Sequence, residues 1–292
     1  MKVRLAKKIG FCFGVKRAVE MAEAALKSKG PIYSLGSIIH NQQVVEDLSK
    51  KGLKVVKDVR KIKSGVVVIS SHGISPVVSK SIAKRGIKLI DTTCPFVLNA
   101  QRIARSLSDA SYNVIIVGDA VHPEIKALVD FVSTDVFVVK GESEARALEI
   151  DASEKFIILA QTTQSTDNFL DVVRAVSEKK PKELRIFNTI CRDAEERQEA
   201  ARLLAGSVDA MFVVGGKSSA NTKRLFEVCK KILNNSHLVE TEKDLRKRWL
   251  DGARTVGVTS GASTPDWIVK RVVNKIQAKD AKEARPKRRM TV

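Results

Sequence analysis

The sequence predicts an α/β fold of three related modules, each built on a parallel sheet. Short apolar, β-branched runs recur at residues 32–35, 66–69, 114–117, 156–159, 211–214 and 255–258. Each is followed by a polar loop and then by a helical pattern. Apolar runs of four bounded by turn formers read as buried strands. Strands alternating with helices read as βαβ units on a parallel sheet. A finer repeat lies on top: IKLIDTTC at 87–94 and LRIFNTIC at 184–191 each give a strand, then Asp or Asn, Thr, one variable residue and Cys. A third cysteine, Cys12, follows the segment 3–9 and opens a helical pattern from 15 to about 29. Cys12 and Cys94 stand 82 positions apart, and Cys94 and Cys191 stand 97 apart. That spacing sets modules at 14–93, 94–190 and 191–277, with a strand in residues 1–13 closing the set. Residues 278–292 are left as a tail.

Ligands of parallel sheets collect beyond the carboxyl ends of the strands. Six loops therefore matter, in chain order: GSIIHN, SSHGIS, GDAVHPE, AQTTQS, GGKSSANTKR and SGASTPD. The tail from Lys279, KDAKEARPKRRMTV, carries six basic and two acidic residues and a proline. It reads as a solvated, disordered basic end.

Composition excludes several classes. With 292 residues and 43% hydrophobic content the chain is neither fibrous nor wholly disordered. No apolar run approaches the roughly 18 residues of a membrane span. The N-terminal MKVRLAKKIGFCFGVKR alternates charge with apolar residues and has no secretory core. The expectation is a soluble, cytoplasmic, monomeric protein. The net charge of +19 favours anionic partners, although a generally basic proteome would give it too. Aromatics are only 5% and no basic–aromatic platform is present, so a nucleic-acid partner is not expected.

The four cysteines contain no CxxC pair, and disulfides do not suit a cytosolic chain. Cys229 shares a helical face with Leu225, Ile232 and Leu233, the spacing of a packed stripe. Cys12, Cys94 and Cys191 differ. Each stands at a strand-to-helix junction, where the helix dipole and backbone N–H groups favour a thiolate. They read as three ligands of a metal site; three unrelated buried cysteines are the plainer alternative. Zinc with a fourth ligand suits such a set. So does an iron–sulfur cluster with one iron left open.

Three of the four histidines, His40, His72 and His122, each follow a predicted strand, whereas His237 reads as a surface loop without a role. Ser219, Asn221 and Ser263 lie in the last two polar loops. Loops of this kind at helix starts present donors to phosphate, though N-capping alone would also explain each one. Together they describe a donor-rich pocket suited to a diphosphate. Glu124 stands two residues after His122, and burial beside an anion would raise its pKa and make it an acid. Thr162 and Thr163 could relay a proton.

The stretches GFCFGVKRAVE, SLGSIIHN, SSHGIS, DTTCP, GDAVHPE, AQTTQS, NTIC, GGKSSANTKRL and GASTPD occur in this order from residue 7 to about 275. On them the chain resembles the 4-hydroxy-3-methylbut-2-enyl diphosphate reductase (IspH/LytB) family. The resemblance implies a trefoil of three α/β modules around a central [4Fe–4S] cluster. Cys12, Cys94 and Cys191 would be its three cysteine ligands, and the open iron would meet the substrate hydroxyl. It implies that His40, His72, His122, Ser219, Asn221 and Ser263 hold the diphosphate. Glu124 would supply a proton and Thr162 would orient the hydroxyl. Two electrons and two protons would remove that hydroxyl as water, giving isopentenyl and dimethylallyl diphosphate. A ferredoxin or flavodoxin would deliver the electrons, and a basic surface suits such acidic carriers. Two departures stand out. Ala220 replaces a small hydroxyl residue, and RDAEERQ follows NTIC where the family tends to have Ala-Thr, which bears on the helix start near Cys191. Two rivals stand beside it: a zinc-dependent hydrolase of phosphate or acyl substrates that uses the same Cys, His and Glu residues, and an iron–sulfur nucleic-acid-binding regulator, favoured by the charge and the basic tail but with no need of a three-histidine, Ser/Asn pocket.

Overall fold

The computed structural model describes residues 1–283. Strand β1 (Lys2–Leu5) leads to α1 (Phe13–Leu26). Then come β2 (Ile32–Leu35), α2 (Gln42–Lys50), β3 (Leu53–Val56), β4 (Val66–Ile69), α3 (Pro76–Lys84) and β5 (Lys88–Ile90). The second series is α4 (Pro95–Ser108), β6 (Asn113–Val117), α5 (Pro123–Val129), β7 (Val136–Val139), α6 (Glu142–Ala147), β8 (Lys155–Ala160), α7 (Thr166–Ser177) and β9 (Glu183–Phe187). The third is α8 (Arg192–Ala205), β10 (Ala210–Val214), α9 (Ala220–Ile232), β11 (Ser236–Val239), β12 (Thr255–Ser260) and α10 (Asp266–Glu283).

These strands form three four-stranded sheets, all parallel, in the orders β3-β2-β4-β5, β7-β6-β8-β9 and β11-β10-β12-β1. The order is the same each time: second, first, third, fourth. In the third sheet the fourth place is taken by β1, from the other end of the chain, with Lys2 opposite Thr255 and Leu5 opposite Val258. All six apolar runs read from the sequence are strands, and they are the central pair of each sheet.

Alternation along the strands explains why both faces are covered. In β6, Ile115 and Val117 pack with Phe156, Ile158, Phe169 and Val172, while Val114 and Ile116 pack with Ala100, Ala104, Ile125 and Leu128. In β10, Phe212 and Val214 meet Ile268, Val272 and Ile276 of α10, while Met211 and Val213 meet Ala201, Leu204 and Leu225. Each buried side chain of this size contributes about 1.5–3 kcal/mol. Strands covered on both faces lose the polar–apolar alternation and appear as continuous apolar runs.

Sequence and structure differ in four places. The described chain forms two compact units, Met1–Cys12 with the chain from Glu196 onward, and Phe13–Glu195. The expected modules 14–93 and 94–190 therefore share one unit, and the break falls inside α8 rather than at Cys191. Second, His237 lies in strand β11, not in a loop, and its ring stacks on Trp249 at 4.1 Å and 11°. An edge strand is only half covered, so SHLV carries too weak an apolar signal to announce itself. Third, α10 runs to Glu283, past the expected start of the tail at 278; residues 284–292 lie outside the described residues. Fourth, Ile232 leaves the packed stripe of α9, at 44% exposure, while Leu225 and Cys229 are fully buried. No described helix is long and apolar enough to cross a membrane.

Gly257 lies in the middle of β12, where a Cβ would come within 2.6 Å of Met211 Sδ and 3.1 Å of both Leu204 Cγ and Val208 Cγ2. Gly257→Ala should therefore overpack the α8 side of this sheet and destabilise the fold by about 1–3 kcal/mol. Urea unfolding should show a lower midpoint with an unchanged slope; an unchanged midpoint would mean that the core gives way freely.

Candidate active site

The Asp/Asn-Thr-x-Cys repeat has a local physical cause. In the first copy Asp91 Oδ1 accepts the Thr93 N–H at 2.8 Å, an Asx turn that ends β5. The Thr92 hydroxyl donates to the Ile69 carbonyl at the end of β4. The Cys94 N–H donates to the Ser71 carbonyl at 3.0 Å. In the second copy Asn188 Oδ1 accepts the Ile190 N–H at 3.0 Å. Thr189 Oγ1 accepts the Ala160 N–H at 2.9 Å and donates to the Ala160 carbonyl, at the end of β8. The Cys191 N–H donates to the Thr162 carbonyl at 2.9 Å.

Cys12 has no Asx or Thr before it, yet its turn is tied alike. The Gly10 N–H donates to Ser260 Oγ at 2.9 Å, at the end of β12, and the Cys12 N–H donates to the Ala262 carbonyl at 3.0 Å. Each cysteine thus follows the fourth strand of its sheet and is tied to the loop beyond the third. Each directly precedes a helix, and all three are half-buried and outside any disulfide. Cys229 is different: it is buried, its thiol lies 3.9 Å from the Ala201 carbonyl, and burial pushes its pKa up to about 12. It is a packing residue.

Within the unit Phe13–Glu195, the loops after β2, β4 and β6 bring His40, His72 and His122 together. Their ring centroids are 4.6, 5.4 and 5.2 Å apart, and one ring nitrogen from each lies within 4.8 Å of the others. Gly73, at φ +79°, brings the His72 loop close to the Cys94 turn; a Cβ there would sit 2.9 Å from Gln101 Nε2 and 3.1 Å from Thr93 Cγ2. Desolvation, followed by the neighbouring His40 and His122, holds the His72 pKa well below its usual value. His122 Nδ1 accepts the Glu124 N–H at 3.2 Å, capping α5. Its proton is then on Nε2, so the neutral ring offers a donor rather than a metal-binding lone pair. Such a cluster suits an anion.

Glu124 stands beside this cluster. Its Oε1 accepts the Thr162 N–H at 2.7 Å and its Oε2 accepts the Thr162 hydroxyl at 2.8 Å. Both residues are buried. Burial raises the Glu124 pKa, and the two hydrogen bonds from Thr162 pull part of the way back. Thr163 stands apart from this contact: its hydroxyl accepts from Gln161 Nε2 at 3.2 Å.

The other unit holds the remaining sequence-predicted residues. Ser219 Oγ caps α9 by accepting the Thr222 N–H at 3.3 Å. Asn221 Oδ1 accepts the Ala262 N–H at 2.9 Å, so the group it can offer a ligand is its amide N–H. Ser263 is buried in the turn after β12. Ala220 is the first residue of α9 and presents a backbone N–H there. The RDAEERQ departure leaves the start of α8 intact: Ala194 and Glu195 N–H groups reach the Cys191 carbonyl at 2.8 and 3.1 Å. Thr92, Thr189 and Ser260 were missed as contributors, although the repeated DTTC and NTIC displayed two of them.

Parallel sheets, cysteines tied at helix starts, and a buried glutamate beside a cluster of three histidines define an α/β protein whose candidate site lies beyond the carboxyl ends of its strands. The chain belongs to the LytB protein family, whose pattern spans residues 3–277. It is 44% identical over 281 residues to the 4-hydroxy-3-methylbut-2-enyl diphosphate reductase of Geobacter metallireducens, covering 96% of this chain and 99% of that one. It is 45% identical to the enzyme of the same name from Geotalea uraniireducens, over 95% of this chain and 97% of that one. Among solved structures, the E-1-hydroxy-2-methyl-but-2-enyl-4-diphosphate reductase of Plasmodium falciparum superposes with a TM-score of 0.88 at 28% identity, covering 94% of this chain and 87% of that one.

The histidine cluster should set a pH dependence of stability. The folded His72 stays neutral below the pH at which the unfolded residue takes a proton, near its usual 6.5. Its contribution is therefore complete above about pH 6.5 and lost as pH falls towards the depressed folded pKa. Urea midpoints between pH 7.5 and 5 should fall more steeply for the wild type than for His72→Asn; parallel curves would show that this ring is not the source.

Proposed function

We propose that this chain reduces 4-hydroxy-3-methylbut-2-enyl diphosphate, replacing its allylic hydroxyl by hydrogen and releasing water, with isopentenyl and dimethylallyl diphosphate as products. Two electrons and two protons balance the conversion. The observation that carries the reading is the buried Glu124 carboxyl held at both oxygens by Thr162, beside a cluster of three imidazoles. An acid beside anion donors serves a substrate that carries both a diphosphate and a leaving hydroxyl.

His40, His72 and His122 would bind the diphosphate, with Ser219, Asn221 and Ser263 contributing donors to the same anion. Neutral imidazoles become better hosts as an anion arrives, because its charge raises their pKa. Glu124 is poorly suited to holding a diphosphate while ionised, and makes sense as the neutral acid. Its Oε1 already accepts a backbone N–H, so in the neutral acid the proton belongs on Oε2, and the bond that Oε2 accepts from the Thr162 hydroxyl is reversed, with Thr162 Oγ1 as acceptor. Glu124 can pass that proton to Thr162 Oγ1 as the Thr162 hydroxyl gives its own to the departing oxygen.

Cys12, Cys94 and Cys191 would hold the [4Fe–4S] cluster. Three half-buried thiols, each at a helix start and each fixed through its own backbone N–H, fit a thiolate-ligated group of this kind. The cluster would supply the electrons and an open iron to polarise the hydroxyl. A ferredoxin or flavodoxin suits the basic chain as electron donor. The zinc hydrolase reading draws on the three-histidine cluster, but the engaged Nδ1 of His122 speaks against it.

Protein purified without oxygen should be brown, with iron and sulfide in equal amounts. Cys12→Ser, Cys94→Ser and Cys191→Ser should each lose the cluster's stability and nearly all reduction, whereas Cys229→Ser should keep both. Colourless zinc protein with intact cysteines would overturn the reductase reading.

Glu124→Gln keeps shape but removes the acid. Turnover should fall by about 10²–10⁴-fold with near-normal substrate affinity, a kcat effect rather than a KM effect. In the wild type, kcat should decline as pH rises through the raised Glu124 pKa. Turnover within a few-fold of wild type under saturating reductant would remove Glu124 from this role.

A further inference from the structure

We infer that Thr92 and Thr189 are positioning residues for the cysteine ligands, and that Ser260 fills the same place for Cys12. The inference rests on the ligand reading of the three cysteines. Only three residues separate the end of β5 from Cys94, and three separate the end of β9 from Cys191. In both intervals the buried threonine hydroxyl crosses to the last residue of the neighbouring strand, Ile69 or Ala160. That residue is also the one from which the substrate loop departs. Ile69 lies three residues before His72, and Ala160 two before Thr162. Each threonine therefore fixes a cysteine relative to a residue that would meet the substrate.

The turn before Cys12 reaches the same result with side chain and backbone exchanged, the turn still being the donor. Gly10 has no side chain to send across, so its N–H donates to Ser260 Oγ. Ser260 ends β12 and stands three residues before Ser263. The same constraint met by two different chemistries argues that the constraint is what matters. Thr189 holds the tighter version, since its oxygen both accepts from and donates to Ala160. Its turn also shares Thr162 with the buried acid.

Packing and positioning make opposite forecasts for conservative changes. If these threonines only fill space, valine is the mild replacement; if the hydroxyl matters, serine is. Thr92→Val, Thr189→Val, Thr92→Ser, Thr189→Ser and Ser260→Ala would be prepared anaerobically with the cluster loaded. Iron transfer to a chelator and the electron paramagnetic resonance spectrum of the reduced cluster would be followed, with circular dichroism as the folding control. The valine variants and Ser260→Ala should lose iron about five- to tenfold faster, the factor expected for one lost hydrogen bond. Their spectra should broaden, and the serine variants should behave as wild type. Thr92→Ala and Thr189→Ala, which cannot overpack, replace any valine variant that does not fold. Valine variants with wild-type iron release, or serine variants as leaky as valine, would overturn the inference while leaving the cysteines as ligands. Wild-type protein that holds no cluster would overturn the ligand reading and this inference with it.

Discussion

Parallel pairing is the constraint on which the rest depends. A parallel strand cannot return through a tight turn, so every connection leaves the sheet and comes back by a helix or a long loop. All strands of a sheet then release their chains at the same end. In each sheet the first-place strand releases a loop with His40, with His122, or with Ser219 and Asn221. The third-place strand releases His72, Thr162 or Ser263, and the fourth releases a cysteine. The division of labour among these side chains follows from strand position, not from closeness in sequence.

Thr162 shows how little chain this economy requires. Its N–H and hydroxyl hold the two oxygens of Glu124, and its carbonyl receives the Cys191 N–H. A residue with three polar groups thus sets an acid from one loop and a cysteine from another in fixed relation. Burial raises the carboxyl pKa, while the hydrogen bonds limit that rise. All three of these polar groups find their partners inside the protein.

The central strands were legible because burial on both faces writes an unbroken apolar run, as in VVVI of β4. The edges were not. β3 reads LKVV and β11 reads SHLV, and half-covered strands need no such run. His237 was mistaken for a loop residue for that reason. The placement of Cys12, Cys94 and Cys191 at helix starts, and of His40, His72 and His122 after strands, was legible through repeated context. The backbone bonds that tie each cysteine were not, because a carbonyl acceptor leaves no mark on residue identity. Ser71, Thr162 and Ala262 accept equivalent bonds with three different side chains.

The placement of β1 has a consequence for biosynthesis. Lys2 pairs with Thr255, and the turn bearing Cys12 is tied to Ser260 and Ala262. β1 therefore has no sheet to join until β12, some 250 residues further along the chain, has been made. The two sheets between can fold as they emerge, since their partners are near in sequence and domains generally fold as they are synthesised. Closing the last sheet carries the loop-closure entropy of a connection some 250 residues long. The Cys12 turn is then the last of the three cysteine turns to take shape.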